Sequence, residues 1–525
     1  MRTKEKSVET VAAEGTFTNS PIQPKKPWQT VILSPLSLCL LLALGIRIWL
    51  AYHTHGIIDG DEAMVGIQAE HILHGEHPIY YYGQAYMGSL EAYLMAILFA
   101  IAGPSVWMLR AEPILLSLLV VWLTWKLAGA LANAAQLSPF AQQLFQTIAA
   151  LIAAIPPLYD TVVEMRALGG YVETFVLIPL LLLSVFQLTR RWRAGALYKE
   201  LGWRWAGIGF IIGFGFWLNP LILTAVLATI IWVTAFCVVE LAQLSRHSKA
   251  GVRPALPSFF KQLVIVLAAV PACLIGMAPA LRWGHTYHWA NFSFVLQMGD
   301  FQTLDPYLQP YYHNHLSLFS GQLSFYLHDV APRVIGGALS GENAFLTAIH
   351  EMTLGLGLFC LIASCLLFLL SLFWHHPQLL HIRQLVTLPL LYAVCISIAF
   401  CTSITAARGL ISLQHDIAGR YAAPIMLVLP YFFATVFTFA YTSLAKFMKR
   451  RQRSEEKQAG NAQRNELSQM SPRIAMIAQV ALLAVLFSYI GAQASTYELT
   501  DADATFQSPS CTIAPANNPY PSLHI

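Results

Sequence analysis

Long apolar runs recur from one end of this 525-residue chain to the other. They lie near 30–51, 113–133, 141–158, 172–189, 206–218, 220–240, 262–280, 346–373, 384–402, 421–443 and 474–492. Most are long enough to cross the hydrocarbon of a bilayer as helices, where each backbone donor and acceptor is satisfied within its own segment. The sequence therefore predicts an all-α polytopic membrane protein with about eleven transmembrane helices. The 206–218 run is short, and its glycines and aromatic residues suggest a packed, partly interior helix. Only 11% of residues are charged and 56% are hydrophobic, against about 25% charged in a soluble domain. That balance excludes a soluble enzyme, a disordered chain and a nucleic-acid binder. Seven of the 8 cysteines fall in or beside apolar runs, which reads as buried small hydrophobes and not as a disulfide scaffold. Residues 1–29 are polar with no cleavable signal pattern, so the first run is expected to be a retained anchor.

One further run, 86–102, carries Glu91 and two tyrosines and is ambiguous. Charge decides it. If 86–102 lies at the interface and the N-terminus is cytoplasmic, 24 of the 31 lysines and arginines fall on the inner side. If it crosses, the basic loops 190–204, 241–261 and 446–473 all face outward. The first arrangement is expected, with the C-terminus outside. It divides the chain into a cytoplasmic tail (1–29), a transmembrane core (30–445), a basic inner loop (446–473), a last helix (474–492) and a short outer tail (493–525). The long outer segments are 52–112, 159–171, 281–345, 403–420 and 493–525, and 19 of the 27 acids lie on or near that side. The outer side has six arginines (Arg110, Arg166, Arg282, Arg333, Arg408 and Arg420) and no lysine. This suits a surface that grips phosphate, because a guanidinium fork binds oxygens in pairs.

The first outer loop holds Asp59, Asp61 and Glu62 within four residues. Like charges this close, beside a bilayer, should raise at least one pKa, and a raised carboxylate suits a general base. Asp59 and Glu62 also have the spacing of a capping box, opening a helix that runs to about His74 and ends at Gly75. The two readings are compatible, since Asp61 stays free. Tyr80, Tyr81, Tyr82 and Tyr86 follow among glycines, either as an interfacial aromatic belt or as a floor for a sugar. Tyr82, Tyr86 and Glu91 are the candidate substrate contacts. An acid in an apolar stretch usually has a partner or a job. His71 and His74 are spaced i, i+3, but no accompanying motif supports a metal there, and no metal ligand is assigned.

These residues resemble the membrane glycosyltransferases of the GT-C superfamily. The branch is the protein O-mannosyltransferase-like one (glycosyltransferase family 39), which includes the lipid A aminoarabinose transferases. The shared pattern is a first span, an Asp-Glu pair at the head of an outer loop, an aromatic and Gly-rich stretch, then a second interfacial helix. Asp61-Glu62 occupies the place of the pair. Further matches are Arg110-Ala-Glu-Pro113, Arg166-Ala-Leu-Gly-Gly-Tyr171 and Gly419-Arg420-Tyr421-Ala-Ala-Pro424. The resemblance covers roughly residues 30–445. Many relatives carry Lys-Pro-Pro-Leu or His-Pro-Pro-Leu before the second interfacial helix, where this chain reads Gly83-Gln-Ala-Tyr-Met-Gly-Ser-Leu90-Glu91.

The resemblance implies a GT-C-like fold and transfer of a sugar from a polyprenyl-phosphate donor to an acceptor hydroxyl on the outer face of the cell membrane, with inversion. The acceptor would be a lipid, a glycan or a protein. Such transfer needs a base for the acceptor and cations for the departing phosphate. Asp61 is the expected base and Glu62 its orienting partner. Arg166, Arg420 and Arg408 are expected on the donor phosphate. Arg110 and Arg282 stand beside Trp107 and Trp283 and read as headgroup anchors. For Arg166 the rival reading is a salt bridge with Glu164. No cofactor is assigned and a divalent metal is left open; Asp160, Glu164 and Glu173 are alternative contacts for the acceptor or for such a metal. The competing class is a polytopic transporter or lipid flippase of the cell envelope, which would show internal repeats and charges within spans.

Overall fold

The structure is a computed structural model, and it describes residues 34–54, 56, 58, 60–249, 264–298, 300–301, 312–336, 344–374, 376–408, 419–458, 477 and 479–496. The N-terminal tail, Asp59, most of the basic inner loop and the tail after 496 lie outside the described residues. The capping box that uses Asp59 therefore does too.

Nine helices among the described residues are long and apolar enough to cross a membrane, and two bent pairs bring the number to eleven if each pair is one span. The architecture is the helical, polytopic one that the apolar runs predict. Helix α1 (Pro35–His53) starts at Ser34, whose hydroxyl caps the Ser37 N–H, with Pro35 in the first turn. Helix α2 (Gly60–Leu73) carries Asp61 and Glu62 in its first turn, where the helix dipole favours acids. Its far end closes as expected at Gly75. The Glu76 N–H reaches His71 O and the Gly75 N–H reaches Ile72 O, with Gly75 left-handed at φ 99°.

The 86–102 run is only partly helical. A two-stranded antiparallel hairpin, β1 (Tyr80–Tyr81) and β2 (Gln84–Gly88), precedes helix α3 (Leu90–Ala102). This hairpin is the one sheet element among the described residues and was not expected. The aromatic stretch is too polar at Gln84 and too rich in glycine to propagate a helix, and Trp217 Nε1 donates to Ile79 O to hold it down. At 13 residues, α3 is shorter than a span.

Helix α4 (Val106–Ala134) begins seven residues before its apolar run, because Arg110 and Glu112 are buried in it. The 141–158 run breaks at Pro156-Pro157 into α5 (Pro139–Ala154) and α6 (Leu158–Glu164), bent by 75°. Then come α7 (Tyr171–Arg193) and α8 (Tyr198–Leu218). The latter is a full span of 21 residues where the short 206–218 run was read. Helix α9 (Leu223–Lys249) follows, and the pair α10 (Ala269–Gly276) and α11 (Ala278–Thr286) ends the first half. Helices α8 and α10 meet closely: a Cβ on Gly209 or Gly213 would lie 2.1 or 2.0 Å from the carbonyl oxygen of Ala269 or Cys273.

The 281–345 segment forms short helices α12 (Ala290–Met298), α13 (His315–Phe325) and α14 (Ala331–Gly336). Three spans complete the described core: α15 (Ala344–Phe373), α16 (Pro377–Thr402) and, after the short α17 (Ile404–Arg408), α18 (Leu429–Gln458). Two 3-10 turns, Gly419–Tyr421 and Ala423–Leu427, feed α18. Helix α19 (Gln479–Thr496) is the last among the described residues. Helices α7 and α18 run through the middle of the bundle, with 78% and 83% of their apolar windows buried, whereas α15 lies at its rim with 22%.

Candidate active site

Five segments far apart in sequence converge on the head of α2. The Asp61 carboxylate faces outward, 42% exposed, and accepts from Arg420 Nη1 at 3.1 Å. Its backbone carbonyl accepts from the Tyr81 hydroxyl at 3.1 Å. Arg420 sits on the 3-10 turn before α18, its guanidinium 5.4 and 5.6 Å from the rings of Tyr171 and Tyr421. Cation–π contact of this kind holds a planar guanidinium in place.

Glu62 points inward and is fully buried. Its Oε2 lies 3.1 Å from Arg110 Nη2 and 3.7 Å from Arg166 Nε. Arg110 also donates to Met165 O at 3.3 Å. This corrects the anchor reading of Arg110. Its side chain is 1% exposed and paired with the buried Glu62. Breaking such a pair strands a buried charge, which costs about 3–5 kcal/mol. Burial raises the Glu62 carboxyl to about 8, against the pull of Arg110 and with help from Glu91 and Asp61. Burial is the main cause, ahead of the crowding of acids that the sequence reading invokes. Burial and the nearby Arg420 charge lower Arg166 to about 10.

The rival partner for Arg166 is engaged elsewhere. Glu164, at the end of α6, pairs with Arg47 of α1, and Arg47 also donates to Ala154 O at 3.0 Å. That closed, fully buried pair ties the bent helix to the first span. The turn after Arg166 is set by Gly169 and Gly170, with φ of 76° and 83°, where a side chain would be strained. Both N–H groups donate to Glu91 Oε2, at 2.5 and 2.9 Å. Consecutive N–H groups in such a turn form a cradle for an anion. Glu91 thus has a structural partner: it holds the turn that presents Arg166.

The two candidate tyrosines part ways. Tyr86 donates to Gln84 Oε1 at 2.6 Å and stacks on Phe294 of α12, ring centroids 5.3 Å apart. It stands beside Tyr81 and Tyr171 electrostatically, at the edge of the cluster. Asn291 Nδ2 donates to the Tyr80 hydroxyl at 2.8 Å, so the 281–345 segment packs on the hairpin through α12. Tyr82 is not brought to Asp61. Its hydroxyl donates to Glu76 Oε2 at 2.6 Å and sits 2.9 Å from His71 Nδ1, on the exposed end of α2. His74 Nδ1 lies 2.8 Å from Glu70 O. The Arg408 side chain lies outside the described residues. Of the alternative metal ligands, Glu164 is taken by Arg47 and Asp160 is buried on α6. Glu173 joins Glu91 and Glu112 instead.

Tyr81, Arg110, Tyr171 and Tyr421 belong to this cluster and were not singled out as its members from sequence. Tyr171 and Tyr421 do flank the two arginine motifs, and that adjacency is the signal that could have found them.

The fold and site together define a polytopic helical membrane protein with an acid–arginine cluster at the head of its first loop. No family model matches the chain, and no curated protein sequence does. Its structure is similar to the oligosaccharyltransferase of Archaeoglobus fulgidus (16% identity, TM-score 0.45), covering 89% of this chain and 56% of that one. The chain therefore spans little more than half the length of that enzyme. It is also similar to ArnT from Cupriavidus metallidurans bound to undecaprenyl phosphate (13% identity, TM-score 0.48), covering 92% of this chain and 77% of that one. The archaeal enzyme is AglB, and it also matches in its complex with an inhibitory peptide and a dolichol-phosphate (16% identity, TM-score 0.45; 90% and 56% covered).

Proposed function

We propose that this chain is a membrane glycosyltransferase that moves a sugar from a polyprenyl-phosphate-linked donor to an acceptor hydroxyl, with inversion, on the outer face of the cell membrane. The N-terminus is then cytoplasmic, as the distribution of basic residues argues. The observation that carries the reading is the placement of a half-exposed Asp61 carboxylate in contact with Arg420 and next to the Glu62–Arg166 pair. A base and two phosphate-binding cations stand together.

An arriving phosphate competes with Asp61 for Arg420. Its oxygens take the guanidinium fork, and Asp61 is released to accept the proton of the acceptor hydroxyl. The acceptor oxygen attacks C1 of the sugar as the C1–O bond to phosphate breaks. Negative charge grows on the leaving phosphate, where Arg420 and Arg166 stabilise it. Glu62 keeps Arg166 and Arg110 in place from below. Arg408, on the same outer segment, is the third candidate for the phosphate.

The test is sugar transfer by purified protein from a polyprenyl-phosphate sugar, with and without Asp61→Asn. Loss of about 10²–10⁴-fold is expected for a missing base. Undiminished transfer removes Asp61 from that role. The second reading, a transporter or flippase, is favoured by one observation: Glu112 and Glu173 are buried carboxylates within spans. Uptake or lipid translocation in proteoliposomes without any glycosyl transfer would establish it.

A further inference from the structure

We propose that Glu91, Glu112 and Glu173 form a binding site for one hard divalent cation of the Ca²⁺ or Mn²⁺ type, distinct from the Asp61 cluster. The three come from different elements: α3, α4 and the first turn of α7. Each offers a carboxylate oxygen, and these oxygens lie within 4.8 Å of one another. The residues are 1%, 4% and 4% exposed.

What sets this group apart from an ordinary acidic patch is its lack of partners. Both oxygens of Glu112 and both of Glu173 are buried without a hydrogen-bond partner, as is Oε1 of Glu91. The backbone N–H of Glu173 stands close to its own carboxyl, and that of Leu168 close to the carboxyl of Glu91. Among the described residues, no lysine, arginine or histidine forms an ion pair with any of the three. Arg110, two residues from Glu112, is turned to Glu62. Buried carboxylates without compensation are costly and repel one another.

Protons or a cation can relieve this. Protons shared between carboxyls join oxygens two at a time, whereas three carboxylates converge here with five of their six oxygens unpartnered. An oxygen-only, anionic donor set with no thiolate or imidazole selects a hard cation. Calcium-like bonds of 2.3–2.6 Å let opposing ligands stand about 4.6–5.2 Å apart, which the observed spacing satisfies. Glu91 is already oriented, pinned through Oε2 by the Gly169 and Gly170 N–H groups, with Oε1 left over. A bound ion would tie α3, α4 and α7 together beneath the turn that carries Arg166.

Binding is the readout, so the inference stands or falls apart from glycosyl transfer. Full-length protein, stripped with chelator, is titrated with MnCl₂ and free Mn²⁺ is followed by electron paramagnetic resonance. Wild type is expected to take up one Mn²⁺ per chain, with Ca²⁺ competing. Glu112→Gln should weaken uptake at least tenfold, and Glu112→Gln with Glu173→Gln should abolish it, while Asp61→Asn leaves it unchanged. Mn²⁺ should also raise the Tm of wild type but not of Glu112→Gln. Carboxylates bind a cation only when deprotonated, so protons compete and affinity should rise with pH. If the glutamines do not fold, Glu112→Asp keeps the charge, shortens the reach and should still lose tenfold. No Mn²⁺ uptake by folded wild type, uptake indifferent to Glu112 and Glu173, or uptake lost in Asp61→Asn each overturns the site.

Discussion

Two groups of buried acids lie close together in this protein and meet opposite fates. Glu62 and Glu164 are matched by Arg110, Arg166 and Arg47. Glu91, Glu112 and Glu173 face one another, and among the described residues no basic side chain forms an ion pair with them. The difference shows how a membrane protein uses charge. Where every acid has a guanidinium, the result is a rigid frame that presents one exposed carboxylate, Asp61. Where acids outnumber bases, something from outside the chain must restore balance, either protons or a metal ion.

Several experiments test that contrast. The largest effect is expected from Asp61→Asn. Sugar transfer should fall about 10²–10⁴-fold, while Tm stays close to wild type because the side chain is partly exposed. Arg110→Met should act the other way round. Above about pH 8, where Glu62 is ionised, it strands that charge and should cost about 3–5 kcal/mol of stability in a denaturant titration. Adding Glu62→Gln should recover much of that, since the stranded charge is then gone. Arg420→Lys keeps the charge but loses the fork. It should weaken transfer by roughly 1.5–3 kcal/mol, measured as kcat/KM for the donor.

The paired frame also predicts a pH dependence. The folded-state pKa of Glu62 is raised to about 8 by burial, above its unfolded value of about 4.3. A group raised in the fold contributes stability that is full below the unfolded pKa and fades as pH climbs through the folded one. Stability of the wild type should therefore decline between about pH 4 and pH 8, and Glu62→Gln should flatten that slope. The smallest effect separates the tyrosines. Tyr81→Phe removes the bond to the Asp61 carbonyl and should cost about 0.5–1.5 kcal/mol. Tyr82→Phe, on the exposed end of α2, should leave transfer unchanged.

Much of the fold was legible because the bilayer imposes one solution on long apolar runs. The runs located the spans, and the basic loops argued for a non-crossing 86–102. The structure agrees to the extent that α3 has only 13 residues. Helix ends were less legible. Arg110 and Glu112 look like the border of a span in a hydropathy reading, yet α4 runs through them because Arg110 finds a buried partner in Glu62. The hairpin at 80–88 escaped because its hold comes from Trp217, more than a hundred residues away.

The site divides the same way. Asp61, Glu62, Arg166 and Arg420 stood out as charges beside spans and as motifs of a resembling family. Which of them touch was not written in their spacing. Arg166 has Glu164 two residues away and turns instead to Glu62, because Arg47 of the first helix has already claimed Glu164. The sequence alone was enough to place the chain in a membrane as a helical bundle. Hydrophobic transfer and backbone satisfaction are local enough to be read from composition and run length. The folded arrangement settled which charges are paired, which tyrosine reaches Asp61, and that three glutamates from separate helices face each other. Such pairings depend on side chains meeting across tens or hundreds of residues, and packing alone brings them within reach.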